Sequence, residues 1–145
     1  MSSSKLGTKG LLTEEQVQEA SESDYMNTEQ LAFFRNKLIK LYEATNIRVQ
    51  EAKNQIANPL DDLSDSNDRA SWEERASVAF RIVDREQKLL PKIKQSLERI
   101  RLGNYGYCLE SDEPIGIPRL LARPTAEYCA EVKEVQELKE TRYKD

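Results

Sequence analysis

The stretch that decides the fold is Trp72-Glu-Glu-Arg-Ala-Ser-Val-Ala-Phe-Arg-Ile-Val-Asp-Arg-Glu-Gln-Lys-Leu-Leu-Pro-Lys-Ile-Lys-Gln-Ser-Leu-Glu-Arg-Ile100. Trp72, Ala76, Ala79, Val83, Leu90, Ile93, Leu97 and Ile100 recur at alternating steps of four and three, with Glu86 as the one break in the series. That is the a/d seam of a heptad repeat, which one helix buries against another. Gly103 follows and supplies the position just past a helix C-terminus, where a left-handed backbone is easiest for glycine. A partner seam lies upstream at Leu31, Phe34, Leu38 and Leu41, continuing through Thr45, Arg48 and Ala52. Asn27 with Gln30 marks its start, and Pro59 closes it because the residue before a proline avoids the helical region. Helices of this length run about 40–45 Å at 1.5 Å per residue. Joined by a short connection, they predict an antiparallel coiled-coil hairpin. The large apolar residues gather near its base and the small ones near its tip, apart from Trp72.

Outside the hairpin the signals are shorter. Residues 1–10 are small and polar, and Thr13-Glu-Glu-Gln16 has the capping-box pattern of a short helix. The run Asn104-Tyr-Gly-Tyr-Cys-Leu-Glu-Ser-Asp-Glu-Pro-Ile-Gly-Ile-Pro118 holds turn formers among aromatic and β-branched residues, which predicts short strands and turns. Pro124 is placed to open a final helix with Tyr128, Val132, Val135 and Leu138 on one face. The expected organisation is therefore a tail with a short helix over 1–26 that joins the globular end, a coiled-coil finger over 27–103 with a tip loop at 58–70, and a globular C-terminal region over 104–145. The class is mainly α, with short strands and turns and a C-terminal helix in the small globular end.

Composition narrows the function. The chain has 145 residues, 22 basic and 26 acidic side chains, and a net charge of -4. An acidic chain lacks the basic surface that gripping nucleic acid requires, so no direct DNA binding is expected. No long apolar run and no leader pattern occurs, which predicts a cytoplasmic protein without a membrane partner. Histidine is absent. That removes every Ser-His-Asp, Cys-His and His-metal arrangement, so an enzyme is not expected. Cys108 and Cys129 are too few for a disulfide framework. Charge is unevenly spread: residues 51–75 carry seven acids and three bases, and residues 81–101 carry seven bases and three acids. An acidic tip on a basic stem results, although two solvated coiled-coil faces would account for the same pattern.

Several runs together resemble the DksA/TraR family of RNA-polymerase-binding transcription factors. They are Tyr25-Met-Asn, Gln30-Leu-Ala, Phe34-Arg, Asp68-Arg-Ala70, Asp84-Arg-Glu86, Lys88-Leu, Tyr107-Cys, Ile115-Gly-Ile, Arg119-Leu and Ala122-Arg-Pro-Thr-Ala126, in order over residues 24–140. The resemblance implies a monomer whose coiled coil enters the secondary channel of RNA polymerase and regulates initiation with ppGpp. Inhibition of ribosomal RNA promoters and activation of some amino-acid biosynthesis promoters would follow. The family's tip motif, Asp-x-x-Asp-x-Ala, falls on Asp65, Asp68 and Ala70. Two carboxylates there could perturb a magnesium-dependent centre; helix capping by Asp68 and loop solubility for Asp65 are the structural readings. The family's ppGpp-binding residues fall on Leu89, Lys92, Arg123 and Lys133, with Arg85 nearby. Pyrophosphate needs such cations at close range, although lysines 92 and 133 also suit a plain surface. Pro91 stands beside that set and removes a helical amide.

One departure is chemical. Zinc-bearing members carry Cys-x-x-Cys twice, whereas this chain has Cys108-Leu-Glu-Ser111 and Cys129-Ala-Glu-Val132. A closed zinc site needs four ligands, so the chain is similar to cysteine-poor, zinc-independent members, and no cofactor is expected apart from ppGpp as effector. Apolar packing by Leu120, Tyr128, Val132 and Val135 is the expected replacement for the metal. Alternatives within reach of the same residues are a Gre-like transcript-cleavage factor, a thiol redox sensor using Cys108 and Cys129, and a coiled-coil adaptor.

Overall fold

The computed structural model describes residues 10–57 and 66–144. The elements are α1 (Glu14–Glu19), a single 3-10 turn (Glu22–Asp24), α2 (Thr28–Ala57), α3 (Ser66–Leu102), α4 (Ile117–Ala122) and α5 (Ala130–Lys144). Their contacts divide the chain into two compact units. One comprises Ile39–Gln95; the other joins the chain up to Leu38 to the chain from Ser96 onward.

The Ile39–Gln95 unit is an antiparallel pairing of α2 with α3. Its buried residues are Thr45, Val49 and Ala52 on α2 and Ala76, Ala79, Glu86 and Ile93 on α3. The α2 seam thus passes through Val49 where a strict 3.5 repeat placed Arg48, because an unsupercoiled helix has 3.6 residues per turn and drifts from the heptad. Arg48 serves the seam from its edge. Its Nε donates to Glu86 Oε1 at 2.6 Å and its Nη2 to Thr45 Oγ1 at 3.1 Å, while the Thr45 hydroxyl donates to the Leu41 carbonyl at 2.7 Å. Arg85 Nε adds a bond to Glu86 Oε2 at 3.1 Å. Burial pushes the Glu86 carboxyl up, but the hydrogen bonds and charges of Arg48 and Arg85 more than offset this and hold it below the usual range. The two polar breaks seen separately in the two seams are therefore partners. Lys94 Nζ lies 5.6 Å from the centre of the Tyr42 ring, a second cross-helix contact in the same register.

Of the expected tip loop over 58–70, residues 58–65 lie outside the described residues. α3 already includes Ser66–Ala70. No glycine or proline intervenes before Pro91, and Asp68 places an anion in the first turn, where the helix dipole favours it. α3 also runs through Pro91, whose side is exposed to solvent.

In the other unit the core is Val17, Phe34, Leu38, Tyr105, Cys108, Ile115, Leu120 and Ala126. The Thr13–Gln16 capping box forms with both bonds, at 3.1 and 2.8 Å. Asn27 Oδ1 caps α2 by accepting from the Gln30 amide at 2.9 Å. Gly103, at φ 87°, ends α3 in a Schellman turn: the Asn104 amide reaches the Arg99 carbonyl at 3.0 Å and the Gly103 amide reaches Ile100 at 3.2 Å. Beyond it, the strand-and-turn region consists among the described residues of turns and one isolated bridge, Tyr107 with Pro114. Two differences from the sequence reading follow it. Ile117–Ala122 forms a short helix with proline in its first turn. The final helix begins at Ala130, so Pro124 and Tyr128 precede it, and Val135 and Leu138 on it are 51% and 64% exposed.

Tyr25 ties the start of α2 to this region. Its hydroxyl donates to the Gly106 carbonyl at 2.6 Å and accepts from the Gly116 amide at 2.9 Å. Gly106 stands at φ 93°, and an added Cβ would lie 2.8 Å from Met26 Cγ. Tyr25→Phe leaves the Gly116 amide short of its partner, while the Gly106 carbonyl loses one of two donors and keeps the Ile115 amide at 2.8 Å. It should lower stability by about 1–3 kcal/mol, read as an earlier urea midpoint, with the m-value unchanged; an unchanged midpoint would show the bridge to be dispensable.

Candidate functional site

Three groups of residues were singled out by the sequence, and the structure treats them differently. At the tip, Asp65 lies outside the described residues. Asp68 and Ala70 stand on the first turn and a quarter of α3, both exposed. Asp68 is within the helix rather than at its N-cap.

The cationic set is split between the two units. Arg85, Leu89 and Lys92 belong to the Ile39–Gln95 unit, on one face of α3 at steps of four and three. Arg85 and Lys92 are exposed and Leu89 half-buried. Arg85 is engaged with Glu86. Arg123 and Lys133 belong to the other unit, where both line a cleft of about 730 Å³ between α4 and α5. Arg119 also lines it, held by its Nε bond to the Tyr128 carbonyl at 3.0 Å. Glu131, Glu134 and Glu137 complete the charged lining. The cleft accordingly offers guanidinium and ammonium donors next to carboxylates. Arg119 was noticed in the sequence only as part of a motif. Its place in the cleft depends on α4, which the sequence reading did not contain.

The third group is the knuckle around the cysteines. The turn after Cys108 is closed by the Cys108 amide to the Glu113 carbonyl at 2.8 Å and by the Asp112 amide to the Cys108 carbonyl at 2.9 Å. Asp112 adopts φ 62° to make it. Leu109 then joins this turn to the segment before α5 through its amide and the Glu127 carbonyl, at 2.9 Å. Two side chains reinforce the junction. The Tyr105 hydroxyl donates to the Pro124 carbonyl at 2.7 Å, and Arg99 Nη1 reaches Glu127 Oε2 at 3.2 Å. Ser111 stands between the sulfurs: its amide is 3.5 Å from Cys108 Sγ and its Oγ is 3.9 Å from Cys129 Sγ.

This arrangement suits an anionic sulfur. Burial alone pushes the Cys108 thiol up, but the Ser111 hydroxyl and the amides of Cys129, Ser111 and Glu110 stabilise the thiolate and bring it down to about 7. It does not suit zinc. At the four knuckle positions stand Cys108, Ser111, Cys129 and Val132. Valine has no donor atom and a neutral serine hydroxyl is a weak one, so the set falls short of the four ligands of a closed tetrahedral site. Among the described residues no cluster of three or more His, Cys, Asp or Glu side chains is arranged for a metal. The expected apolar replacement is only partly present. Leu120 is fully buried, but Val135 is exposed.

A lowered thiol pKa has a consequence for stability. The folded state favours the thiolate, so its contribution is complete above the unfolded value of 9.0 and is lost as pH falls through about 7. In Cys129→Ser, which leaves one thiol, absorbance at 240 nm should rise with a midpoint near pH 7, and the urea midpoint should increase between pH 7 and 9. A thiolate midpoint near 9 would contradict the knuckle's hydrogen-bonding role.

Comparison with known proteins places the geometry. Residues 30–100 match the family model described as the N-terminal domain of the DnaK suppressor protein DksA. Residues 103–138 match the prokaryotic dksA/traR C4-type zinc finger, of whose four cysteines this chain keeps two. The chain is 37% identical over 139 residues to the RNA polymerase-binding transcription factor DksA of Caulobacter vibrioides, covering 95% of this chain and 98% of that one. It is 36% identical over 126 residues to the protein of the same name from Escherichia coli K12, with 87% and 83% covered. Among solved structures, transcription factor DksA2 from Pseudomonas aeruginosa superposes with a TM-score of 0.77 at 39% identity, covering 89% of this chain and 99% of that one. A helical hairpin, a capped base and a zinc-finger-like knuckle matched over nearly their whole length to such proteins place this chain in the DksA family.

Proposed function

We propose that this protein binds RNA polymerase through the secondary channel and, together with ppGpp, regulates transcription initiation. It acts as a cytoplasmic monomer, without binding DNA and without catalysing a reaction. Ribosomal RNA promoters are inhibited and some amino-acid biosynthesis promoters are activated. The observation that carries this reading is near-complete alignment with proteins named as RNA polymerase-binding transcription factors. The net charge of -4 and the absence of histidine agree with a regulator that neither grips DNA nor performs acid–base catalysis. No helix among the described residues is long and apolar enough to cross a membrane.

The roles of individual residues follow from their chemistry. Asp65 and Asp68 present carboxylates at the tip, where they act on the polymerase centre by charge and hydrogen bonding, with Ala70 leaving the approach narrow. Arg123 and Lys133 in the cleft supply cationic donors for the phosphates of ppGpp; Arg85, Leu89 and Lys92 on α3 are assigned to the same effector by the family resemblance. The protein uses no zinc. Its knuckle hydrogen bonds take the place of the metal.

Single-round transcription from a ribosomal RNA promoter tests the assignment. Asp65→Asn with Asp68→Asn should abolish inhibition while polymerase still co-purifies with the protein, since asparagine preserves size and the helix start loses about 1 kcal/mol or less. Arg123→Ala should keep basal inhibition and lose the increment that ppGpp adds. Full inhibition by the double asparagine variant would remove the tip role. A parental ppGpp response in Arg123→Ala would remove that residue from the effector site.

A further inference from the structure

In the Ile39–Gln95 unit, apolar packing does little to distinguish one alignment of α2 and α3 from another. Its buried apolar residues are Val49, Ala52, Ala76, Ala79 and Ile93. Three of the five are alanines, which present nearly the same shape after a slip of one heptad. Glu86 differs from all of them. Only 6% exposed, it is held by Arg48 at 2.6 Å and Arg85 at 3.1 Å. Arg48 in turn is steadied by Thr45, itself fully buried and bonded back to Leu41. Tyr42 and Lys94 meet in the same alignment.

Sliding α3 by one heptad changes the partners in an informative way. In one direction Glu86 would face Leu41 and Arg48 would face Ala79; in the other they would face Gln55 and Ile93. Each slip buries a carboxylate opposite a neutral residue and moves α3 along α2 by about 10 Å. Arg85 moves with Glu86 on α3, so a slip costs the buried carboxylate its cross-helix partner Arg48, the shorter of its two contacts, and leaves it half-compensated; losing one partner of a buried charge is costly, whereas replacing a buried pair by apolar residues is often neutral or stabilising. Buried polar groups in coiled coils act most clearly on register.

We infer that Arg48 and Glu86, with Thr45 steadying Arg48, are positioning residues that lock the register of the hairpin and so set where Asp68 is presented. The link to Asp68 rests on the tip role proposed above; the register lock itself does not. The pair contributes uniqueness of alignment more than stability.

The test is the double variant Arg48→Leu with Glu86→Leu, which removes both charges and keeps apolar volume. Spin labels carried on p-acetylphenylalanine in place of Lys53 and Arg81, both exposed, report the α2–α3 alignment without using the native thiols. The parent should give one narrow distance. The double leucine variant should melt no lower than the parent, yet show a second, displaced distance population. Arg48→Glu with Glu86→Arg should restore the single distance. Promoter inhibition should fall several-fold in the leucine variant while polymerase binding persists. A single parental distance in the leucine variant would overturn the inference. A displaced population with undiminished inhibition would uphold the register lock and reject the tip role.

Discussion

The unit built from both ends of the chain depends on one junction, where the turn after Cys108 meets the segment before α5. Leu109 and Glu127 pair through their backbones, Tyr105 reaches the Pro124 carbonyl, and Arg99 reaches Glu127. These bonds link α3, the turn and the approach to α5, which no continuous sheet connects. In a four-cysteine knuckle a metal would make that link by bonding all the segments at once. Here several individually modest hydrogen bonds, each about 0.5–1.5 kcal/mol net, do so in a partly buried setting where leaving them unmade would be costly. Tyr105 is almost fully buried and packs against Phe34 with ring centres 5.7 Å apart, so the same junction also seats the start of α2.

Cys108 keeps an electrostatic role within this junction, with the backbone amide of Cys129 among its donors. Amides converging on Cys108 are the groups that would orient a metal thiolate. With no full ligand set they stabilise the sulfur anion directly, and the thiol is brought to about 7. Retaining Cys108 and Cys129 while Ser111 and Val132 occupy the other two positions therefore preserves the turn geometry without preserving a tetrahedral site.

The hairpin was legible because heptad spacing is a local property of sequence. Gly103, Asn27 with Gln30, and Thr13 with Gln16 marked helix ends for the same reason: capping acts over three or four residues. What required the fold was pairing at long range. Arg48 and Glu86 each looked like a fault in its own seam, and only the register of α2 against α3 shows that they answer one another. α4 was missed because Ile115-Gly-Ile-Pro118 reads as turn and strand, although proline just inside a helix start was the available signal. Val135 and Leu138 fitted a helical face and yet lie exposed, since periodicity cannot say whether a face is covered. The knuckle showed only its missing ligands in the sequence. Its hydrogen bonds are mostly to backbone and leave no residue signature.

Metal-free integrity of this junction is the claim on which the proposed zinc-independent regulator stands. Thermal unfolding followed by circular dichroism, with and without excess EDTA, on protein whose zinc content has been measured by elemental analysis, addresses it most directly. Protein with far less than one equivalent of zinc, unfolding at the same temperature in both conditions, is the expected result. One equivalent of zinc together with a clear fall in melting temperature on chelation would contradict the account.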